Sequence, residues 1–443
     1  MSTRSWFAAL VSQKPANSQA DPAINDSETR PRVVILAGAG SYRCAAFKAA
    51  AARLGIDVIE AADVPDVLEA FWDGPLVVDY LNVDAAANQV AQAAIASRAS
   101  AILALDDSAT LVASLASEQA RLPHNAPEAS LAARDKLVMR RKLRDHGAPT
   151  PWFEAFPMTA SAGMVSSSVH YPCVVKPTRL SGSRGVIRAN DAAELDEAFA
   201  RVVRILQNEG ADPDRTEIIV EQYLPGAEVA VEGILTNGTL LVLSIFDKPD
   251  PLEGPFFEET IYVTPSRHSE QIQQRIEFRT AEGATALGIQ HGPVHAELRV
   301  GEHDAWVIEI AGRSIGGLCS TILEFGSGQS LEDLILMNAI GRELQATTLT
   351  APALGVMMIP IPRGGVLKSV TGIENALAVE GITDLKITAQ LNGPIDALPE
   401  GSAYLGFIFA RGESPEQVER ALRGAHQLLE VRIDPLLSMA RVS

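Results

Sequence analysis

Residues 173–185 read Cys-Val-Val-Lys-Pro-Thr-Arg-Leu-Ser-Gly-Ser-Arg-Gly. The apolar run at 173–175 is typical of a strand that is buried on both faces. Lys176 ends this run, and a buried ammonium group is costly unless it meets an anion. Residues 181–185 are small apart from one arginine, and their backbone N–H groups can fold over phosphates. This stretch therefore predicts a strand and a loop that together bind a phosphorylated ligand.

Charged residues on both sides of that stretch extend the predicted site. Lys136 lies on a basic helix predicted over 134–147. Residues 221–228 read Glu-Gln-Tyr-Leu-Pro-Gly-Ala-Glu, so Glu221 and Glu228 flank an apolar hinge. Two such carboxylates could hold an adenosine by its amino group and its ribose hydroxyls. Each of these residues alone is more typical of a solvated surface, and it is their order along the chain that favours a binding site.

Two glutamates and an arginine follow at short spacing. Glu297 and Glu309 lie on two predicted strands. Carboxylates that end adjacent strands suit Mg²⁺, a hard ion that also binds substrate phosphates. Arg313 follows four residues after Glu309 and could clamp a transferring phosphoryl group. His295 shares a strand face with Glu297 and could support it, whereas the Gly-Pro between His291 and His295 disfavours a helical zinc site.

This order of lysine, lysine, Gly/Ser loop, glutamate hinge, two glutamates and arginine resembles the ATP-grasp superfamily, over about residues 32–435. The resemblance implies ATP and Mg²⁺ as cofactors, with Mn²⁺ as a possible substitute. It implies that Lys136 and Lys176 contact the nucleotide phosphates, and that Glu297 and Glu309 hold the metal. The other nucleotide contacts that it implies are Ser181, Gly182 and Ser183 in the phosphate cover, Glu221, Tyr223 and Leu224 in the adenine hinge, and Glu228 at the ribose.

Within that superfamily the chain most resembles the L-amino acid ligases, which make dipeptides. Residues 247–249 and 254–259 resemble their substrate-side segment, and residues 309–317 resemble their metal and phosphate segment. Residues 363–367 with Gly372 resemble their additional C-terminal domain. The substrate contacts that this likeness implies are Glu259, Tyr262, Arg313, Gly316 and Gly317.

Two positions depart from the family pattern. Ala311 stands where many ATP-grasp enzymes have a metal-binding asparagine, so the metal would rest on Glu297, Glu309 and phosphate oxygens. Tyr262 stands where some amino acid ligases have a histidine, so the family's amino acid specificity does not transfer directly.

The resemblance implies an ATP-dependent ligase that joins a carboxylate, as in its amino acid ligase relatives, to an amine. The carboxylate would take the γ-phosphoryl group of ATP, giving an acyl phosphate and ADP, and the amine would then displace phosphate. Lys176, Glu309 and Arg313 would carry the catalysis. No serine, cysteine or histidine arrangement typical of covalent catalysis is recognisable in the sequence, and Cys319 has no apparent base beside it.

Other functions stay open at this point. A biotin-carboxylase-like or purine-pathway ligase would have the same fold. A regulatory protein could bind nucleotide without turnover, although the presence of Glu297, Glu309 and Arg313 disfavours it. Residues 38–43, Gly-Ala-Gly-Ser-Tyr-Arg, imitate a dinucleotide fingerprint, but Arg43 stands where the third glycine is needed, which disfavours a nicotinamide enzyme.

Strand and helix patterns divide the chain into four parts. Residues 1–31 are polar and turn-rich and predict a mobile tail. Alternating strands and helices over 32–122 predict an open parallel α/β domain. Residues 123–346 predict the ATP-grasp domain, with a central part and a nucleotide lid, and residues 347–443 predict a small α+β domain. The predicted fold class is thus α/β and α+β, with the ATP-grasp fold between two flanking domains.

Composition limits the partners. The 443 residues include 37 basic and 55 acidic side chains, for a net charge of −18. Such a surface disfavours nucleic acid and anionic membranes, and no apolar run is long enough to cross a bilayer. Three widely spaced cysteines suit a reducing compartment. We therefore expect a cytoplasmic protein that acts on small-molecule carboxylates and amines, with a homodimer as a possible assembly.

Overall fold

The computed structural model describes residues 30–38, 41, 43–63, 76–302, 304–326, 328–345 and 348–436. From Pro31 onward these residues belong to one unit. The predicted tail at 1–31 lies outside the described residues except for its last two, and so do Ala39, Gly40 and Tyr42 of the predicted glycine turn.

The N-terminal sheet is open and wholly parallel, as predicted. Its strands are β1 (Arg32–Gly38), β2 (Asp57–Asp63), β3 (Leu76–Val78) and β4 (Ala101–Ala104), in the order β3-β2-β1-β4. The strands alternate with α1 (Arg43–Leu54) and α2 (Val83–Ser97), and α3 (Thr110–Ala120) follows β4. The apolar residues 33–37 of β1 are all buried, which is why this strand reads as an unbroken apolar run.

The prediction of one basic helix over residues 134–147 is wrong at the start of that range. Two helices meet there, α4 (Pro127–Arg134) and α5 (Lys136–His146). Asp135 has an extended backbone, with φ −113° and ψ 109°, so it ends α4. Its carboxylate accepts hydrogen bonds from the N–H groups of Leu137 and Val138 and thereby caps α5.

The lid sheet is an antiparallel sheet of four strands. These are β5 (Phe153–Pro157), β6 (Cys173–Pro177), β7 (Ile187–Ala189) and β8 (Glu217–Gln222), in the order β5-β8-β6-β7, accompanied by α6 (Ala162–Ser166) and α7 (Ala192–Asn208). Asp191 caps α7, but Glu194 receives its hydrogen bonds from the backbone and side chain of Asn190. A capping box at this helix is therefore only half formed.

The central sheet has eight strands in the order β13-β12-β9-β10-β11-β16-β20-β18. Its first five strands are β9 (Ala227–Thr236), β10 (Thr239–Lys248), β11 (Ile261–Thr264), β12 (Gly292–Val300) and β13 (Ala305–Ala311), with α8 (Glu270–Leu287) before β12. The short hairpin β14 (Glu324–Phe325) and β15 (Gln329–Ser330) leads into α9 (Leu331–Ala339).

The C-terminal region contributes to two sheets. Three strands, β16 (Ala353–Ile359), β18 (Ile382–Ile387) and β20 (Gly406–Gly412), complete the central sheet. A separate sheet contains β17 (Gly365–Thr371), β19 (Pro394–Ile395) and β21 (Glu430–Asp434), and the helices are α10 (Ile373–Leu377) and α11 (Pro415–Gln427). Ser414 caps α11, and proline occupies the first position of that helix.

One apolar core joins the N-terminal sheet to the central sheet. It includes Ile35 of β1, Phe47 of α1, Leu334 of α9, Phe246 of β10 and Phe409 of β20, all less than 5% exposed. Fully burying a side chain of this size stabilises the fold by about 1.5–3 kcal/mol. The N-terminal sheet is therefore packed firmly against the strands that carry the site.

Candidate active site

A cavity of about 890 Å³ is lined by the lid sheet, the central sheet and loops of the C-terminal region. Every site residue predicted from the sequence lines this cavity. They are Lys136, Lys176, Ser181, Gly182, Ser183, Glu221, Tyr223, Leu224, Glu228, Glu259, Tyr262, Glu297, Glu309, Arg313, Gly316 and Gly317. The structure thus brings together residues that are spread between positions 136 and 317 of the chain.

The lid end of the cavity is apolar. Val174, Val186, Tyr223 and Phe257 form a small cluster there, and all four line the cavity. The Arg188 guanidinium stacks on the Tyr223 ring, with its carbon 4.0 Å from the ring centroid. Flat apolar walls of this kind suit a purine base. Val186 and Phe257 were not predicted as nucleotide contacts, because an apolar residue type alone does not indicate a base-binding wall.

Lys176 and Glu221 form a buried ion pair. The Glu221 carboxylate also accepts two hydrogen bonds from Arg140, at 2.8 and 3.2 Å, and receives the Lys176 ammonium. Burial opposes ionisation of Glu221, but these two cations outweigh it and lower its pKa to about 2. Glu221 is therefore a partner of Lys176 and Arg140 rather than the free acceptor for adenosine that the sequence suggested.

Lys136 joins the phosphate loop to the central sheet. Its Nζ donates to the Leu180 carbonyl at 2.8 Å and lies 3.2 Å from Glu309 Oε2. In the adjoining loop, Gly182, Ser183 and Gly185 all have positive φ, at 62°, 55° and 71°. This left-handed backbone explains the small residues of the loop.

Lys248, which lies in the segment that resembles the substrate side of the L-amino acid ligases, stands among three carboxylates. Its Nζ lies 2.7 Å from Glu228, 2.5 Å from Glu259 and 3.3 Å from Glu297. Among the described residues these same three glutamates are the group whose oxygens lie close enough to share a cation. The ammonium of Lys248 supplies that positive charge, and burial, which opposes it, is outweighed so that its pKa is raised.

This cluster shifts the protonation of Glu259. Burial and the neighbouring charge of Glu297 raise the pKa of Glu259 to about 7, and the Tyr262 hydroxyl donates to its Oε2 at 2.9 Å. Arg299 lies 2.9 Å from Glu228 and so holds the predicted ribose ligand in place. Arg299 was not predicted as a site residue, because no motif surrounds it in the sequence.

Glu297 and Glu309 face each other across β12 and β13, directly in register. Side chains paired in this way point to the same face of a sheet. Both keep some exposure to the cavity, 19% for Glu297 and 28% for Glu309. Two carboxylates with open oxygens are the donors that Mg²⁺ uses beside phosphates, so these residues fit a magnesium ion. Ala311 adds no side-chain ligand.

His295 supports Glu297, as the shared strand face predicted. Its Nε2 lies 3.6 Å from Glu297, and its Nδ1 lies 3.2 Å from Glu232. Burial opposes charge on the imidazole, but the hydrogen bonds to these two carboxylates raise its pKa to about 9. The fully buried Glu232 also accepts the backbone N–H of Ile315, at 3.0 Å, and so holds the loop after Arg313. A glutamate inside the apolar run of β9 was the signal for this residue.

Arg313 faces the cavity from the loop after β13. Its Nη2 lies 2.7 Å from Asp107 Oδ2, and its Nη1 donates to the Ser314 carbonyl at 2.9 Å. Asp107 begins a short helical turn after β4 of the N-terminal sheet and was not predicted as a site residue. The sequence indicates Asp107 only by its position shortly after β4. Open parallel sheets bind their ligands at the carboxyl ends of the strands.

Two family comparisons agree with this geometry. Residues 169–322 match the ATP-grasp domain family. Residues 357–434 match the family described as L-amino acid ligase C-terminal domain 2. The chain therefore carries an ATP-grasp domain and an L-amino acid ligase C-terminal domain. No helix of the described residues in this ATP-grasp protein is long and apolar enough to cross a membrane.

Solved structures share the fold of this ATP-grasp protein. A crystal structure of an L-amino acid ligase from Bacillus licheniformis matches it with a TM-score of 0.78 and 26% identity, over 91% of this chain and 99% of that one. An N5-carboxyaminoimidazole synthetase from Staphylococcus aureus, complexed with ADP, matches with a TM-score of 0.66 over 89% of this chain and 97% of that one. At 16% identity the second likeness shows the fold alone.

Two curated relatives are similar to this chain, and one of them carries a ligase name. This ATP-grasp protein is 26% identical to a D-alanine–D-alanine ligase from Ralstonia pickettii, over 49% of this chain and 66% of that relative. It is 24% identical to an uncharacterized protein of Sinorhizobium fredii, over 71% of this chain and 64% of that protein. The chain therefore spans just under two thirds of the length of these relatives. The Bacillus licheniformis structure and the Ralstonia pickettii relative both carry the names of carboxylate–amine ligases.

Proposed function

We propose that this protein is an ATP-dependent ligase that joins the carboxylate of an amino acid to an amine and releases ADP and phosphate. One observation carries the proposal. A single cavity combines an apolar pocket for a base, two lysines with a glycine-rich loop, an opposed pair of carboxylates and the Arg313 guanidinium. The likeness to an L-amino acid ligase structure over nearly its whole length supports the same class of substrates.

The nucleotide would lie along the lid. Its base would enter the cluster around Tyr223 and Phe257, beside Leu224, and its ribose would reach Glu228. Lys136 and Lys176 would contact the phosphates, covered by the backbone N–H groups of residues 181–183. Glu297 and Glu309 would hold Mg²⁺, which supplies neutralisation of phosphate charge when it is bound.

The reaction would proceed in two steps. A carboxylate oxygen of the substrate attacks the γ-phosphorus, and the bond from that phosphorus to ADP breaks. The amine nitrogen then attacks the acyl carbon, loses a proton, and phosphate leaves. Arg313 would stabilise the transferring phosphoryl group and then the oxyanion, because its guanidinium offers a rigid set of donors to oxygen. Positioning and fixed charge supply the catalysis, and no covalent intermediate with the enzyme is needed.

The substrates would occupy the end of the cavity away from the lid. Glu259 and Tyr262 are hydrogen-bonded there, and Gly316 and Gly317 line the facing loop. Gly317 has a φ of 62°, and a Cβ at this position would come within 2.9 Å of the Phe407 ring. A side chain on residue 317 would therefore crowd the space between the loop and β20.

A substrate matrix tests the proposal. ADP and phosphate release would be measured for a panel of amino acids and other carboxylates, with and without amines, at saturating Mg²⁺. We expect release that needs both a carboxylate and an amine, and a hydroxamate when hydroxylamine replaces the amine. Release of AMP and pyrophosphate would mean adenylation and would overturn the proposal.

Two rival functions have their own outcomes in the same assay. A carboxylase or purine-pathway ligase would show ADP release that depends on bicarbonate, a reading that the shared fold permits. A nucleotide-binding regulatory protein would bind ATP in a calorimetric titration and release no ADP with any substrate pair. Cytoplasmic location and a homodimer stay predictions, to be tested by fractionation and by light scattering.

A further inference from the structure

Asp107 stands at the edge of the N-terminal sheet that faces the site. It begins the single helical turn Asp107–Ala109, directly after β4. The carboxyl ends of parallel strands meet at one edge, which is where open α/β sheets present their binding residues. At the same edge, the N–H of Gly38 donates to Asp106 at 3.2 Å, so the ends of β1 and β4 are tied together.

The contact between Asp107 and Arg313 joins two parts of the chain. The carboxylate lies 2.7 Å from Nη2 of Arg313, and Nη1 of the same guanidinium donates to the Ser314 carbonyl. These two contacts fix both the position and the orientation of the planar Arg313 guanidinium. A guanidinium has five N–H donors, so others stay available for an anion in the cavity.

A second arginine contacts the same loop. Arg43, from the start of α1, is buried and donates to the Leu105 carbonyl and to the Ser314 hydroxyl. Burial and the nearby charge of Arg313 lower the pKa of Arg43. Burial likewise opposes ionisation of Asp107, but Arg313 outweighs it and lowers the pKa of that carboxyl. Asp107 is thus the carboxylate that pairs with Arg313, while Asp106 lies 4.0 Å from Nη1 of Arg43.

We propose that Asp107 is the positioning residue for Arg313, and that the N-terminal sheet thereby completes the active site. The inference rests on the proposed ligase function, in which Arg313 contacts the transferring phosphoryl group. Asp107 itself does not line the cavity, so its effect passes through the guanidinium.

Asp107→Asn tests the inference, because it removes the charge and keeps the size. We expect turnover with the best substrate pair to fall about 10²-fold, which is the effect of displacing a catalytic group by about 1 Å. We expect the KM for ATP to stay near that of the wild type. In an Arg313→Lys background the same change should add little, since the two residues act as one unit.

Asp304→Asn is the matched control. Asp304 makes a comparable pair with Arg279, at 2.6 and 2.9 Å, outside the cavity, so turnover should not change. An equal loss from Asp107→Asn in both backgrounds, or no loss at all, would overturn the inference.

Hydrogen exchange of residues 312–317 provides a readout that needs no ligase assay. Exchange should become faster in Asp107→Asn and stay unchanged in Asp304→Asn. If the wild type releases no ADP with any substrate pair, the proposed function fails. The exchange result then decides the positioning role separately, and unchanged exchange in Asp107→Asn would count against it.

Discussion

Glu221 compensates two buried cations, and its loss should be costly. It is 2% exposed and contacts Arg140 and Lys176. Its folded pKa of about 2 lies below the ordinary 4.5, a stabilisation of about 3 kcal/mol. Since the folded pKa is the lower one, this contribution is complete above about pH 4.5 and is lost as the pH falls toward 2.

Glu221→Gln should therefore lower the free energy of unfolding at pH 7 by about 3–5 kcal/mol, because two buried cations lose their partner. Urea unfolding at pH 7 and at pH 3 measures the free energy of unfolding of both proteins. The difference between the variant and the wild type should be smaller at pH 3. Glu217→Gln, at the exposed start of the same strand, is the control and should have little effect. A gap that stays constant with pH would contradict the assigned ionisation of Glu221.

Glu309 is the residue through which the proposed metal site can be tested. Glu309→Ala should leave a folded protein whose turnover falls about 10²–10³-fold, as when one catalytic electrostatic contact is removed. The Mg²⁺ concentration for half-maximal activity should rise as well. Glu277→Ala, on an exposed position of α8, should behave as the wild type. Near-normal activity of Glu309→Ala at saturating Mg²⁺ would remove Glu309 from the site.

At the level of elements, the loop 181–185 should act as a lid over the phosphates. Its glycines and serines lose much chain entropy on closing, so exchange in this loop should slow when ATP binds. Gly182→Ala should raise the KM for ATP, because φ is 62° there and a Cβ would lie 3.0 Å from Ser402. Gly210→Ala is the control. Gly210 also has a positive φ, at 74°, but a Cβ there would meet no atom within 4 Å, so this variant has the backbone strain without the crowding. Equal KM values for the two variants would contradict a close fit of the lid.

For the molecule as a whole, we expect the C-terminal region to hold the lid closed. Glu400 pairs with Arg201 of α7, at 2.7 and 2.9 Å, and the Gly185 N–H donates to the Pro399 carbonyl at 2.9 Å. Exposed ion pairs of this kind contribute only about 0–1 kcal/mol to stability. Glu400→Gln should therefore leave the melting temperature almost unchanged and yet raise the KM for ATP.

Glu324→Gln is the comparison for Glu400→Gln. It breaks an exposed pair with Arg411, at 3.1 Å, that does not touch the lid. We expect its KM for ATP to equal that of the wild type. The same KM in Glu400→Gln would mean that the C-terminal region does not restrain the lid.

Local pattern was enough to predict the strands and the main functional groups. The open parallel N-terminal sheet is confirmed, and Lys136, Lys176, Glu297 and Arg313 all line one cavity. The strands were predictable because a buried strand shows as an apolar pattern among neighbouring residues. The site residues were predictable because each charged group follows or lies on such an element. The break at Asp135 was missed because its capping role depends on one backbone conformation.

The partners of the charged groups came from tertiary structure. Arg140 and Glu221 are 81 residues apart in the chain, and Asp107 and Arg313 are 206 apart. Lys248 meets three carboxylates that arrive on different strands, and β16, β18 and β20 join the central sheet from far along the chain. Periodicity and spacing describe a residue's own element, whereas an ion pair or a strand pairing depends on which distant element packs beside it. The residues of the candidate site could therefore be predicted from the sequence. The contacts that hold their charged groups in place depend on how the sheets pack against one another.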